Sequence, residues 1–336
     1  MSAARPPVRV AVLGAGSIAQ VVHLPILSRM RGVEVAAVVD ADHRKAKTIA
    51  GRFGIDHVPR SQDEVWADES IDAVVICTPS NLHEEHTVQA LQAGKYVLCE
   101  KPLALTAEGV ERVLAQSGAD GRLLVAMNQR FRPDAAALRT FVAGGELGEV
   151  FYLKAGWLNR GMGRSRRSWR DRRASGGGAL MDLGIQMLDL ALWLLDYPVA
   201  ERVSAHTHRA PGAEVEDSAA LMLRLGGDRL IGLEVTSNLF AERDRQFLHL
   251  LASEGSGSLA PLAVFKDMER GLVEVTPQLP PGRENQFTAS YRQELQHFVE
   301  TVRGARDAAA PVEHVALMRI LTAAYRSAEE KREVSF

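Results

Sequence analysis

Short, nearly unbroken apolar runs alternate with amphipathic stretches through the first 130 residues. Val8 to Gly14 is followed by a helical stretch from Ser17 to Met30 and by a second run from Val33 to Asp40. Val/Ile/Leu runs of this length are strands covered on both faces, and strand, helix, strand at this spacing is a parallel βαβ unit. The pattern continues with a charged helix over Arg44 to Phe53, strands at Ala73 to Thr78, Tyr96 to Cys99 and Leu123 to Met127, and helices at Glu84 to Ala93 and Ala107 to Ser117. Such a chain predicts a doubly wound parallel sheet of Rossmann type over residues 1–127.

Beyond Asn128 the segments lengthen and alternate. Ala219 to Leu225 and Arg229 to Val235 flank Gly226-Gly227-Asp228, a hairpin signal, with further strands at Glu149 to Gly156 and Gly271 to Val275. Ala179 to Leu195 and Tyr291 to Val302 have helical apolar spacing, and Pro277, Pro280 and Pro281 mark an irregular loop. Residues 128–336 are therefore expected to form an α+β domain with an open, mainly antiparallel sheet. The class is α/β, and two domains leave a cleft.

Bulk properties narrow the function classes. With 336 residues, a prior of roughly 150 per domain also gives two domains. A net charge of −2 gives no global attraction to nucleic acid or to an anionic membrane, so neither is an expected partner. No run approaches the roughly 18 apolar residues of a membrane span, and Met1 to Pro7 lacks a signal-peptide core. Cys77 and Cys99 both end apolar runs, which favours buried thiols in a reducing cytoplasm.

Gly14-Ala15-Gly16-Ser17-Ile18-Ala19 lies between the first strand and the first helix and fits the G-x-G-x-x-G/A fingerprint. Gly14 permits the tight turn, Gly16 admits a pyrophosphate against backbone amides, Ala19 lets helix and strand pack, and the helix start at Ser17 and Ile18 favours the anion. Asp40 ends the second strand 21 residues after Ala19, where a carboxylate can hold a ribose diol. That carboxylate favours NAD; NADP is the alternative, because Arg44 and Lys45 lie near enough to attract a 2′-phosphate.

Three further segments resemble the family of glucose-fructose oxidoreductases, inositol dehydrogenases and MocA-like proteins. They are Thr78-Pro79-Ser80-Asn81-Leu82-His83, Ala93 through Glu100-Lys101-Pro102, and Gly176-Gly177-Gly178 through Asp182 to Gln186. The tail from Tyr291 through Glu294 and Phe298 to Ala323, Ser327 and Ala328 resembles the family's closing helices. The resemblance covers the chain end to end. It implies NAD(P)-dependent hydride transfer at a carbinol or keto carbon of a sugar, polyol or sugar-derived acid, in a homodimer or homotetramer.

Residue by residue, the resemblance puts Thr78, Pro79, Asn81, His83, Glu100 and Lys101 at the cofactor. Lys101 follows a parallel strand at the carboxyl edge of the sheet, and the resemblance has it bridge substrate hydroxyl and nicotinamide ribose; a cis Lys101–Pro102 bond is plausible there. Asp182 and Gln186, four apart on one helix face, are the other catalytic and substrate-binding candidates. The family usually has His at the second position. Gln186 cannot titrate near neutrality, so Lys101, a water or another residue must move the proton. Asn128 is a candidate substrate contact, while Arg130 has the alternative of pairing with a carboxylate across the domain junction.

From Arg160 to Arg173 seven arginines face one acid, Asp171, with Trp169 among them. Arg173 suits an anionic substrate and Trp169 a sugar ring; a solvated loop or a subunit contact is the other reading. His83/His86 and His206/His208 lack a completing thiol or carboxylate set, so no metal is expected. Two other functions stay open: an NAD-dependent glycosidase with transient oxidation, and a non-catalytic dinucleotide- or sugar-sensing regulator.

Overall fold

The computed structural model describes residues 6–117, 121–161, 172–269, 271–279, 284–306 and 309–336. The chain divides into two compact units, Met1–Asn128 with Phe287–His314, and Gln129–Gln286 with Val315–Phe336.

The first unit is built on β1 (Val8–Leu13), β2 (Val33–Val39), β3 (Ala73–Ile76), β4 (Tyr96–Glu100) and β5 (Leu123–Ala126). Their order is β2-β1-β3-β4-β5, and every pairing is parallel. Because successive connections run outward from β1 in one direction and from β3 in the other, the order reverses between these two strands. That switch point opens a crevice at the carboxyl ends. The strands are almost wholly buried, as continuous Val/Ile/Leu runs require.

The helix expected over Ser17 to Met30 is shorter and wider. Ala19–His23 is a π-turn, closed by the Leu24 N–H on the Ala19 carbonyl, and Leu24–Leu27 continues it as α-helix. Pro25 has no N–H to close an ordinary turn with Val21, which favours the longer bond. The remaining helices of the unit's first stretch are His43–Phe53, Gln62–Ala67, His83–Gln92 and Ala107–Ser117. The Gln62–Ala67 helix has too short a periodic run to announce itself.

A single boundary at 127/128 does not contain the chain's return to the first unit. Leu295, Phe298 and Val299 of the helix Gln286–Val302 are buried in one apolar cluster with Val10, Val12, Leu24, Leu27 and Val38. The first core is completed by residues about 170 positions downstream of Asn128, and apolar burial enforces that return.

The second unit carries a nine-stranded sheet: β6 (Val150–Arg160), β7 (Ala200–His208), β8 (Ser218–Leu225), β9 (Arg229–Leu239), β10 (Arg245–Ala252), β11 (Gly255–Leu259), β12 (Ala263–Met268), β13 (Gly271–Glu274) and β14 (Val334–Ser335). The order is β13-β12-β11-β10-β6-β9-β8-β7-β14, antiparallel throughout except for the parallel β6–β9 pair. Gly227 and Asp228 take positive φ in the β8–β9 hairpin loop. Leu180–Gly184, a π-turn, and Ile185–Leu194, an almost entirely buried helix, pack on one face of the sheet together with Pro133–Ala143. No helix among the described residues is long and apolar enough to cross a membrane.

Phe298→Ala empties the place of one of the largest fully buried side chains in the first core. It is expected to lower unfolding stability by about 3–5 kcal/mol, measured by chemical denaturation.

Candidate functional site

At the switch point the turn after β1 passes directly over the end of β3. Gly14 has φ +90°, and a Cβ on it would lie 2.5 Å from the Cys77 carbonyl oxygen, so glycine is obligatory. Gly16 differs: a Cβ there would meet nothing nearer than 3.9 Å, which leaves the space beside its backbone open to a ligand. Ala19 is fully buried, Ile18 packs on the core, and Ser17 is exposed at the helix start.

Asp40 closes this turn. Its Oδ2 accepts the Ala15 N–H at 2.8 Å and pairs with Lys45 Nζ at 2.7 Å, while Oδ1 accepts the Asp42 N–H at 2.9 Å. Burial works against its charge, but the Lys45 ammonium and the two amides outweigh it and hold the carboxyl below the usual range. Asp40 is thus an ionised carboxylate at the end of β2 with a cation already beside it. The Lys45 pairing is not visible in the sequence, because it depends on how the 43–53 helix is capped: Asp42 accepts the Arg44 and Lys45 amides.

The loops after β3 and β4 share the same edge. Thr78 Oγ1 lies 3.1 Å from His86 Nδ1, Pro79 is exposed, and Asn81 borders a surface cleft with Glu84 and Arg112. His83 is buried, with Nε2 2.8 Å from the Thr78 carbonyl and Nδ1 2.7 Å from the Pro102 carbonyl. The Lys101–Pro102 peptide is cis, and Lys101 is half-buried.

Glu100 is buried beneath Lys101. Its Oε1 lies 2.8 Å from His23 Nε2 and its Oε2 accepts the Lys101 N–H at 3.3 Å. Burial raises the carboxyl, yet His23, Lys101 and His83 together bring it below its ordinary value. His23 is fully buried and meets the Tyr291 ring edge-on at 5.9 Å. Sequence reasoning missed His23; the signal was an ionisable residue on the apolar stripe of Ala19, Val22 and Leu27. Asn128 is buried, and its Nδ2 donates to Ser290 Oγ at 2.9 Å, tying the end of the parallel sheet to the returning helix.

In the second unit Gly176 takes positive φ, and the two glycines after it turn out to be close-approach residues. A Cβ on Gly178 would lie 1.8 Å from the Glu216 carbonyl oxygen, and one on Gly177 would lie 2.1 Å from the Tyr325 hydroxyl. The Glu216 carboxylate accepts the Gly178 and Leu180 amides at 3.0 Å and the Tyr325 hydroxyl at 2.8 Å. Burial and the adjacent carboxylate push the Tyr325 phenol well up, so it stays a donor. A buried anion therefore caps the helix that carries Asp182 and Gln186. Gln186 is buried and its Nε2 donates to the Asp182 carbonyl at 3.1 Å, so the two neighbour one another as their spacing predicts.

Arg130 has a carboxylate and a phenol partner on its own unit. It forms a two-pronged bond with Asp189, at 2.8 and 2.6 Å, and a third bond with the Tyr197 hydroxyl, all within the second unit. Trp169 and the other residues of 162–171 lie outside the described residues, and Arg173 falls on the short helix Arg172–Ser175. Cys77 and Cys99 are buried free thiols.

Comparison with known proteins agrees with this geometry. Over 96% of both chains the protein is 28% identical to the D-glucoside 3-dehydrogenase of Escherichia coli K12. It is 29% identical to the inositol 2-dehydrogenase of Rhizobium meliloti 1021, over 98% of this chain and 99% of that one. The crystal structure of GenD2 from gentamicin A biosynthesis in complex with NAD superposes with a TM-score of 0.84 at 26% identity, covering 99% of this chain and 97% of that one. Residues 8–127 match the NAD-binding Rossmann fold of an oxidoreductase family, and 139–336 match that family's C-terminal alpha/beta domain. With both of its domains accounted for, the chain belongs to the Gfo/Idh/MocA family of NAD-dependent oxidoreductases.

Proposed function

We propose that this chain moves a hydride between NAD and a carbinol or keto carbon of a sugar, polyol or sugar-derived acid. The carrying observation is the placement of Lys101: it follows β4 on the same sheet edge as the Gly14–Gly16 turn, above a buried carboxylate that anchors its backbone. The dinucleotide fits the residues present. Open space at Gly16 suits a pyrophosphate against the amides of the turn and of Ser17, Ile18 and Ala19, and ionised Asp40 suits a ribose diol. The same carboxylate disfavours a 2′-phosphate, with Lys45 reducing the margin.

When bound, the nicotinamide supplies the acceptor or donor of the hydride. The protein's own task is the proton. Lys101 takes the carbinol proton while the C–H hydride leaves and returns it in the reverse reaction, its ammonium form neutralising developing alkoxide. Asp182 and Gln186 bind neighbouring hydroxyls, and Gln186, an amide, orients without titrating. Thr78, Pro79, Asn81 and Asn128 belong to cofactor or substrate contacts, while Glu100 acts by holding Lys101. Trp169 and Arg173 are proposed substrate contacts, fitting a sugar that carries an anionic group.

The outer face of the nine-stranded sheet is the proposed self-association surface of a homodimer or homotetramer. Along β8 and β10 exposed positions alternate with buried ones, leaving Met222 and Leu251 45% and 43% exposed. The cytoplasm, where both thiols stay reduced, is the proposed compartment.

Lys101→Met is expected to cut kcat by about a hundredfold or more while the NAD dissociation constant changes less than about threefold. Nicotinamide absorbance across a sugar and polyol panel reads the first, and calorimetry the second. Gly16→Ala should keep the melting temperature yet weaken NAD by about tenfold, whereas Gly14→Ala should lose stability outright because of its contact with the Cys77 carbonyl. Light scattering of Met222→Glu/Leu251→Glu should give the monomer mass where the parent gives a multiple; a monomeric parent would refute the surface.

A further inference from the structure

His83 joins the loop after β3 to the loop after β4, and does so from a fully buried position. It opens the 83–92 helix, and its ring lies between the Thr78 carbonyl, after β3, and the Pro102 carbonyl, after β4. Both partners are carbonyl oxygens, which only accept. A neutral imidazole has one N–H and one lone pair, so either tautomer would aim a lone pair at an oxygen 2.7 or 2.8 Å away. Only the doubly protonated ring satisfies both.

We propose that His83 is the positioning residue for Lys101: a buried imidazolium that donates from both ring nitrogens, locks the carbonyl of Pro102 to that of Thr78, and so fixes the loop bearing the lysine. This rests on the reading of Lys101 as the proton-transferring group. Lys101 is then gripped on both sides, by Glu100 at its own N–H and by His83 at the next residue's carbonyl. The titratable groups that act on the ring are Glu100 on β4, His86 on its own helix and the Cys99 sulfur beside it. Burial opposes the imidazolium, but Cys99 and the two carbonyls outweigh it and raise His83 from 6.5 to about 9. The charge is thus held through the neutral range. A folded-state value above the unfolded one means a stabilisation fully present below pH 6.5 and lost as pH rises through 9.

The test begins on the unaltered protein, with nitrogen-15 NMR of its histidine rings. Both His83 nitrogens should report as protonated from pH 6 to 8; a neutral tautomer, or titration near the ordinary 6.5, overturns the imidazolium. The second arm is a double-mutant cycle on kcat with His83→Asn, Lys101→Met and the pair. His83→Asn alone should cost about tenfold or more in kcat, and nothing further in the Lys101→Met background. Equal losses in both backgrounds overturn the positioning role. If Lys101→Met itself leaves kcat intact, the reading of Lys101 fails, while the NMR arm still decides the charge. His83→Gln, with a longer amide reaching the Thr78 carbonyl, replaces His83→Asn if that variant does not fold. Denaturation between pH 6.5 and 9 should show a smaller loss of stability in the variant than in the parent.

Discussion

The nucleotide end of this protein depends on one close approach, the backbone of Gly14 against the carbonyl of Cys77. Parallel strands sit under 5 Å apart, so a turn that rises from β1 and crosses toward β3 must run over its neighbour's last peptide. The absence of a Cβ at Gly14 allows that, and its positive φ bends the chain so that the Ala15 amide meets the Asp40 carboxylate. The amides beyond Gly16 are left facing open space at the switch point. A methyl group at Gly14 would displace the turn, the carboxylate that closes it and the start of the following helix together.

The rest of the edge is assembled from buried charge, each charge satisfied by named neighbours. Glu100 meets His23 and the Lys101 amide, and His83 meets two carbonyls. In the second unit Glu216 meets two amides and a phenol, and Arg130 meets Asp189 and Tyr197. Burying such groups is costly when they are unpaired and rigidifying when they are paired. The helices carrying Ala19 and Asp182 each include a π-turn, a geometry that offsets the face the helix presents.

Much of this was legible in order along the chain. Parallel strands announced themselves because burial on both faces requires continuous Val/Ile/Leu runs, and the Gly14/Gly16/Asp40 spacing follows from local turn geometry. The pair Asp182 and Gln186 was legible for the same reason, since residues four apart on a helix are neighbours. Glu216 and Tyr325 were not: they cap a helix from 36 and 145 residues beyond Leu180, and no periodicity links them. The glycines at 177 and 178 were recognisable as a motif, but their physical task, making room for those two partners, was not.

By itself, then, the sequence determined what depends on neighbours along the chain: the strand and helix types, the tight turn, the carboxylate after β2, and the family signature around Lys101. The tertiary structure decided what depends on residues far apart meeting. It returned 287–314 to the first core through Leu295 and Phe298, paired His23 with Glu100, set Lys45 on Asp40, and placed His83 between two carbonyls. The physical reason is one of range. Backbone sterics and apolar periodicity act over a few residues, whereas the state of a buried charge is fixed by whatever the fold packs against it.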